Sequence, residues 1–157
     1  MTTDRNAMSE AKRELITFLV GDQDFCMDIR LVREIRGWTS VTPLPHSPAD
    51  VLGVMNLRGA VVPIVDLSAR LGLGFCRAAE RNVIIIVTIG ERTIGLLVTA
   101  VSDILGVLAD DVQPVPEVGS AEASAFVEGI LASSNRTLRI LSIDVLGTNL
   151  PDESEVV

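Results

Sequence analysis

Residues 84–105, IIIVTIGERTIGLLVTAVSDIL, repeat the pattern of residues 16–35, ITFLVGDQDFCMDIRLVREI. Both stretches contain apolar runs separated by a short polar turn with a glycine. With a constant offset of 69 the two stretches superpose, with Gly21 on Gly90, Val32 on Val101, Glu34 on Asp103 and Ile35 on Ile104. Apolar runs around a glycine turn are typical of a β-hairpin, so the repeat predicts two equivalent hairpins.

The repeat continues beyond these hairpins. The later matches are Pro43 and Pro45 with Pro114 and Pro116, Gly53 with Gly129, and Asp66 with Asp144, and the offset grows to 71, 76 and 78. This predicts a duplicated unit of about 70 residues with two hairpins and a short closing helix in each copy. Because a unit of this size buries too little apolar surface to be comfortably stable alone, we expect the halves to share an apolar seam. A seam of this kind also forms a groove, a common place for binding.

Most apolar residues lie in short runs rich in β-branched side chains, such as AVVPIV, NVIIIVTI and TLRILSI, between glycine, proline or charged turns. This texture predicts a mainly β protein, as a barrel or a sandwich. The helical candidates are short and cover residues 65–72, 120–126 and 142–147. We expect one domain over residues 14–149, with repeat halves of about 14–80 and 81–149, between a flexible tail at 1–13 and a short acidic tail at 150–157.

Composition and charge exclude several function classes. The formal net charge is −8 and the chain has one lysine, Lys12, so we expect no nucleic-acid binding, which requires clustered positive charge. The longest apolar stretches, 83–90 and 93–102, are each too short to span a bilayer as a helix, and no direct membrane insertion is expected. The N-terminus has no apolar core of the kind that a secretory signal needs, which predicts a cytoplasmic protein.

No residue pattern indicates catalysis, a metal or a cofactor. The single histidine, His46, lies between two prolines in LPHSPAD, and no G-x-S-x-G motif supplies a nucleophile, so we interpret it as a solvated turn residue. A small hydrolase or ligand-binding enzyme that uses His46 is the alternative. Asp110-Asp111 is interpreted as a solvated helix start or turn. Cys26 and Cys76 lack metal-ligand spacing and are expected to be reduced core residues. Binding to other proteins is the most economical function.

Arg58 places a full charge in GVMNLRGAVVPIVD, residues 53–66, a run otherwise typical of a buried strand pair. Its guanidinium has a fork of donors that suits directional bonds to a partner's carbonyl or carboxylate. The alternative is an intramolecular pair with Glu34 or Asp66 that holds the hairpin. Both roles are compatible, since an arginine oriented by an internal pair still has donors to present outward. Glu34 is likewise either a solvated strand residue or a contact residue.

The segments VREIRGW, P-x-P-H-S-P, GVMNLRGAVVPIVDL and GERTIGLLVTAVSDIL resemble the CheW family of chemotaxis coupling proteins in order and spacing, across nearly the whole chain. The most specific part is N-L-R-G-x-x-x-P-x-x-D-L, from Asn56 to Leu67. The resemblance implies two intertwined five-stranded SH3-like β-barrels related by a pseudo-twofold axis, with short helices.

In function, the resemblance implies a non-enzymatic scaffold without cofactors. It would couple the cytoplasmic tips of chemoreceptors (methyl-accepting chemotaxis proteins) to the regulatory domain of a CheA-type histidine kinase, in receptor arrays at the inner face of the membrane. A CheW-like coupling protein of a chemosensory-type pathway with a non-flagellar output is the alternative.

The resemblance also implies the contact positions for the receptor, the kinase or both, which are Val32, Glu34, Gly53, Arg58, Gly59, Gly95, Val101 and Ile104. The three aliphatic residues are expected to be apolar anchors, and the three glycines to let strands turn or a partner backbone approach closely. The chain departs from the family at Thr99 and in the turn 133–135, where an aspartate is common. The departure at Thr99 leaves the strength or choice of partner beside Val101 open.

Overall fold

The computed structural model describes residues 12–75, 81–116, 125–133 and 135–146, except the side chains of 144 and 145. The strands within these ranges are β1 (Arg13–Val20), β2 (Gln23–Asp28), β3 (Val32–Gly37), β4 (Val51–Leu57), β5 (Ala60–Asp66), β6 (Val83–Ile89), β7 (Arg92–Val98), β8 (Ala100–Val107), β9 (Val112–Gln113), β10 (Val127–Ser133) and β11 (Arg136–Leu141). The helices are α1 (Leu67–Arg70) and α2 (Ile143–Leu146), with 3-10 turns at Ile29–Leu31 and Ala109–Asp111.

Two of the three helical candidates are confirmed in shortened form as α1 and α2. The candidate at 120–126 lies outside the described residues except for its last two positions. The predicted tails also lie outside them, with one exception at the N-terminal end. Arg13, assigned to the flexible tail, is the first residue of β1 and contacts Glu128, with Nη2 3.2 Å from Oε1.

The strands form two sheets that each combine both halves of the repeat. One has the order β8-β1-β2-β11-β10-β9 and the other β3-β6-β7-β5-β4. The halves exchange a strand, since β3 pairs with β6 and β8 pairs with β1. This confirms the mainly β, intertwined fold. The first sheet has six strands instead of five because two residues of β9 pair with β10, whereas the equivalent contact in the other sheet is a single bridge between Thr42 and Val54.

The repeat predicted from the sequence is present in the backbone. Gly21 and Gly90 close equivalent hairpins with φ of 65° and 61°, a left-handed conformation that glycine adopts without steric cost. Gly53 and Gly129 both lie against a neighbouring segment that pairs with their strand, which is the bridge at Thr42 for Gly53 and β9 for Gly129. A Cβ would lie 2.2 Å from Thr42 O at Gly53 and 2.6 Å from Val112 Cγ1 at Gly129. The two copies therefore share the hairpin turn and this close approach as well as sequence.

The largest hydrophobic cluster lies between the two sheets and is the shared seam that the duplication predicts. It combines residues of β1 and β2 with residues of β6 and β7, including Phe18, Phe25, Ile85 and Leu96. Alternate residues of the same strands face two smaller clusters, one for each sheet. Central strands such as β6 therefore bury both faces, which explains the continuous apolar run VIIIV.

Cys26 is fully buried, on the face of β2 that packs in the smaller hydrophobic cluster of the six-stranded sheet. Burial raises the pKa of its thiol to about 12, so the group is protonated at neutral pH and behaves as a small apolar side chain. This agrees with the core position predicted for Cys26. Cys76 lies outside the described residues.

Candidate functional site

The turn between β4 and β5 presents Arg58. Arg58 and Gly59 have φ of 52° and 90°, as the two central residues of a type I′ turn require. The Gly59 N–H donates to Asn56 Oδ1 at 2.8 Å, which fixes the turn from the preceding strand. Gly59 therefore lets the chain turn, as predicted, and Arg58 beside it adopts a left-handed conformation although it is not a glycine.

The Arg58 guanidinium pairs with Glu34 on β3. Arg58 Nη2 donates to Glu34 Oε1 at 2.7 Å. Since β3 and β4 lie at opposite ends of their sheet, the pair joins the two ends and the sheet must curl. The structure selects Glu34 from the two candidate acids, because Asp66 is buried and its Oδ1 accepts the Ala69 N–H at the start of α1. The Arg58 side chain remains 67% exposed and available to a partner.

Glu34 lies among three arginines. The hydrogen bond from Arg58 lowers the pKa of the Glu34 carboxyl below its usual range despite partial desolvation, and the positive charges of Arg58, Arg36 and Arg33 add to this effect. Arg36 Nη1 lies 3.9 Å from Glu34 Oε2, and Arg33 Nη1 donates to Thr93 Oγ1 at 3.1 Å. This end of the five-stranded sheet is thus locally positive although the chain carries a net charge of −8.

Val101 and Ile104 lie on β8, the end strand of the six-stranded sheet. Val101 is partly buried and packs against the seam, whereas Ile104 is 52% exposed. Val32 holds the equivalent position on β3 and also packs against the seam. The structure therefore separates the candidate residues into a β3 surface around Glu34 and Arg58 and a β8 surface around Val101 and Ile104.

Ile35 was not among the residues predicted from the sequence. It is 45% exposed on β3 and matches Ile104 in the repeat. An isoleucine exposed to this degree on an end strand is available for contact with a partner. The repeat alignment superposes Ile35 on Ile104, and this match could have indicated Ile35 as a contact residue. The sequence alone did not single it out, because Ile35 is one of many aliphatic residues in strand-like runs.

Gly53 and Gly95 are buried within the chain. A Cβ at Gly95 would lie 2.5 Å from Ile64 Cδ1 and 3.0 Å from Ile84 Cγ2, and a Cβ at Gly53 would meet the backbone of Thr42. The close approach expected at these glycines is therefore made by the chain's own atoms. Their contact with a partner stays a prediction.

Thr99 joins the two halves at the start of β8. Its Oγ1 accepts the Gly21 N–H at 2.8 Å, and its own N–H donates to Leu19 O at 2.9 Å. An aspartate carboxylate is also an acceptor, which gives a physical reason why threonine can stand where the family commonly has aspartate.

We expect Thr99→Val to lower the free energy of unfolding by about 1 kcal/mol, because the Gly21 N–H loses its acceptor while the side-chain volume is kept. Urea denaturation of the parent, Thr99→Val and Thr99→Ser measures this loss, and the serine variant should retain most of the stability. Equal midpoints for the valine and serine variants would show that the hydroxyl contributes nothing.

His46 lies in an exposed turn with φ of 58°, as expected for a solvated turn residue. Asp110 and Asp111 lie in an exposed 3-10 turn, and Asp111 Oδ2 accepts the Leu108 N–H at 2.9 Å. Among the residues that the structure describes, no His, Cys, Asp and Glu side chains form a group of three suited to holding a metal ion. In the same part of the chain, no helix has the length and apolar character needed to cross a membrane.

Two sheets with exchanged strands, each presenting a candidate surface on an end strand, define a protein built of two SH3-like subdomains. Comparison with known proteins agrees with this class. The model of the CheW-like domain family matches residues 14–149. "Chemotaxis protein CheW" of Rhizobium meliloti (strain 1021) is 51% identical over 144 residues, which cover 92% of this chain and 93% of that protein. "Probable chemotaxis protein CheW" of Rhizobium etli is 47% identical over 148 residues, covering 94% and 96%.

A solved structure gives the same result. The crystal structure of the scaffolding protein TtCheW from Thermoanaerobacter tengcongensis aligns with a TM-score of 0.80 and 30% sequence identity, over 87% of this chain and 93% of that one. The chain belongs to the CheW family of chemotaxis scaffold proteins.

Proposed function

We propose that this protein is a non-enzymatic adaptor that couples the cytoplasmic tips of chemoreceptors to the regulatory domain of a CheA-type histidine kinase. No cofactor takes part. The protein acts in the cytoplasm and is recruited to receptor arrays at the inner face of the membrane by these contacts. Holding receptor and kinase on one rigid body raises their effective concentration near each other and lets a conformational change in one bias the other.

The observation that carries this proposal is the presence of two repeat-related surfaces on different sheets. The β3 surface exposes Ile35 beside the charged pair of Glu34 and Arg58, and the β8 surface exposes Ile104 beside Val101. An adaptor requires at least two contact surfaces, one for each partner, that can be occupied at the same time. Apolar residues on two separate end strands meet this requirement without any active site.

We expect Ile104→Asp to weaken binding to at least one partner by about thirtyfold or more, since a charge at the centre of an apolar contact must lose its water. Calorimetric titration of the purified chain with a kinase regulatory domain, and separately with a receptor cytoplasmic fragment from the same organism, measures this effect.

Leu73→Asp is the matched control, because Leu73 is exposed to a similar degree, 41%, but follows α1 outside both surfaces. Circular dichroism must show both variants folded. If the well-folded parent binds neither partner, the adaptor proposal is wrong. If Leu73→Asp weakens binding as much as Ile104→Asp, the β8 surface is not the site.

A further inference from the structure

The pairing of β1 with β8 contains a β-bulge beside Ile104. Ile16 pairs with Ile104 and Phe18 with Val101, so one residue of β1, Thr17, lies opposite two residues of β8. Because of the extra residue, the side chains of β8 point to opposite faces of the sheet from those that a regular alternation would give after the bulge. Leu105 packs in the cluster of the six-stranded sheet, whereas Val101, which has the same parity in the sequence, packs against the seam.

Thr17 holds this bulge with a side chain that is 0% exposed. Its hydroxyl donates to Asp103 Oδ1, with the Asp103 carbonyl oxygen 3.2 Å from Oγ1 as a second acceptor. In return, the Asp103 backbone N–H donates to Thr17 Oγ1 at 3.1 Å. A buried hydroxyl is costly without partners, and the hydrogen bonds that the structure describes for this one are all made with Asp103, one of the two residues opposite Thr17.

The equivalent bulge on β3 is held in a different way. On β3 the pairing shifts between Val32 and Glu34. The residue at the position of Thr17 is Ile86, which has no hydroxyl, and Glu34 is held by Arg58 from the protein surface. One bulge is therefore fixed by a buried hydroxyl and the other by an exposed ion pair.

We infer that Thr17 is a positioning residue for partner binding: it fixes the β8 bulge and thereby presents Ile104 on the surface. The inference rests on the proposed function for the partner that Ile104 meets. Thr17 is buried and acts through β8. Its role is distinct from the Thr99 contact, which joins the hairpin turn at Gly21 and not the bulge.

The first test needs no partner. In Thr17→Val, which keeps the shape but removes the hydroxyl, we expect the backbone amide of Asp103 to exchange hydrogen at least about tenfold faster, because it loses its acceptor. Thr17→Ser restores the acceptor and should restore slow exchange. Unchanged exchange across residues 101–104 in Thr17→Val would overturn the inference.

The second test asks whether Thr17 acts through Ile104. We expect Thr17→Val to weaken binding of the receptor fragment or the kinase domain about fivefold to tenfold, with recovery in Thr17→Ser. In a double-mutant cycle with Ile104→Ala, Thr17→Val should cost little further affinity. Fully additive losses, or faster exchange with unchanged affinity, would show that Thr17 supports the fold without positioning the contact.

The two proposals fail in different ways. A parent that binds neither partner removes the proposed function and with it the binding role of Thr17, while the exchange experiment still decides whether Thr17 holds the bulge. If Thr17→Val does not fold, Asp103→Ala removes the carboxylate end of the same hydrogen bond at an exposed position. In this variant the backbone amides of Val101 and Ile104 should also exchange hydrogen faster than in the parent. Unchanged exchange at these two amides would overturn the inference.

Discussion

Gly53→Ala is expected to lower the free energy of unfolding by about 3 kcal/mol or more, and Tm by about 10 °C. Gly53 has φ of 147°, which residues with a Cβ rarely adopt. The added Cβ would also lie 2.2 Å from Thr42 O and 2.9 Å from Pro43 Cα. Both are backbone atoms, and Thr42 is held by two hydrogen bonds with Val54, so the segment around Thr42 cannot move aside without breaking them.

Gly37→Ala is the control for this prediction. A Cβ at Gly37 meets nothing within 4 Å, and its backbone lies outside the left-handed region, so we expect its stability to match that of the parent. Differential scanning calorimetry of the three proteins measures the effect. A Gly53→Ala protein as stable as Gly37→Ala would mean that the segment around Thr42 moves aside readily.

This prediction affects how the glycines of the candidate site are tested. If Gly53→Ala is strongly destabilised, its failure to bind a partner says nothing about a contact at Gly53. Gly95 has the same difficulty, because a Cβ there would meet the side chains of three isoleucines. Gly59 differs, since its Cβ would point into open space, although φ of 90° still strains any substitution. The proposed contact with a partner is therefore better tested at Ile104 and Arg58.

The repeat could be predicted from the sequence because its markers are backbone features. Gly21 and Gly90 match in sequence since both turns need a left-handed residue, and Gly53 and Gly129 match since a neighbouring segment leaves no room for a Cβ at either position. Such constraints are local and leave the same residue at the same place in each copy. The apolar seam could also be predicted, because two small units with long apolar runs must bury them on each other.

The exchange of β3 and β8 between the halves could not be predicted from the residues and came from the family resemblance. A strand pattern shows which residues face inward but not which strand lies alongside. Thr17 was missed for a related reason, since a threonine in a strand is ordinary and only the register places it opposite Asp103. The partner of Arg58 stayed open between two acids until the structure placed Asp66 at the start of α1.

Arg58→Ala is expected to weaken binding to at least one partner by about thirtyfold, because exposed arginines with several free donors are frequent hot spots. Tm should change little, since exposed ion pairs contribute little to stability. The pKa of the Glu34 carboxyl should rise toward its usual range, because the hydrogen bond from Arg58 is the largest cause of its lowering. Because this pKa is lowered, the Glu34–Arg58 ion pair is intact at neutral pH. The pair is lost only as the pH falls through the pKa of Glu34.

Carboxyl-carbon NMR titration of Glu34 and calorimetric binding, on the same samples, separate the two roles of Arg58. Arg30→Ala is the matched control, since Arg30 is 83% exposed and pairs with Asp28 at 2.9 Å, away from Glu34. A raised Glu34 pKa with weakened binding supports both roles together. If Arg58→Ala raises the pKa of Glu34 but binds both partners as tightly as Arg30→Ala does, Arg58 has only an internal role. It would then join β3 to the β4–β5 turn without contacting a partner. That result would move the β3 contact to Ile35, whose exposed side chain needs no charged neighbour to bury apolar surface against a partner.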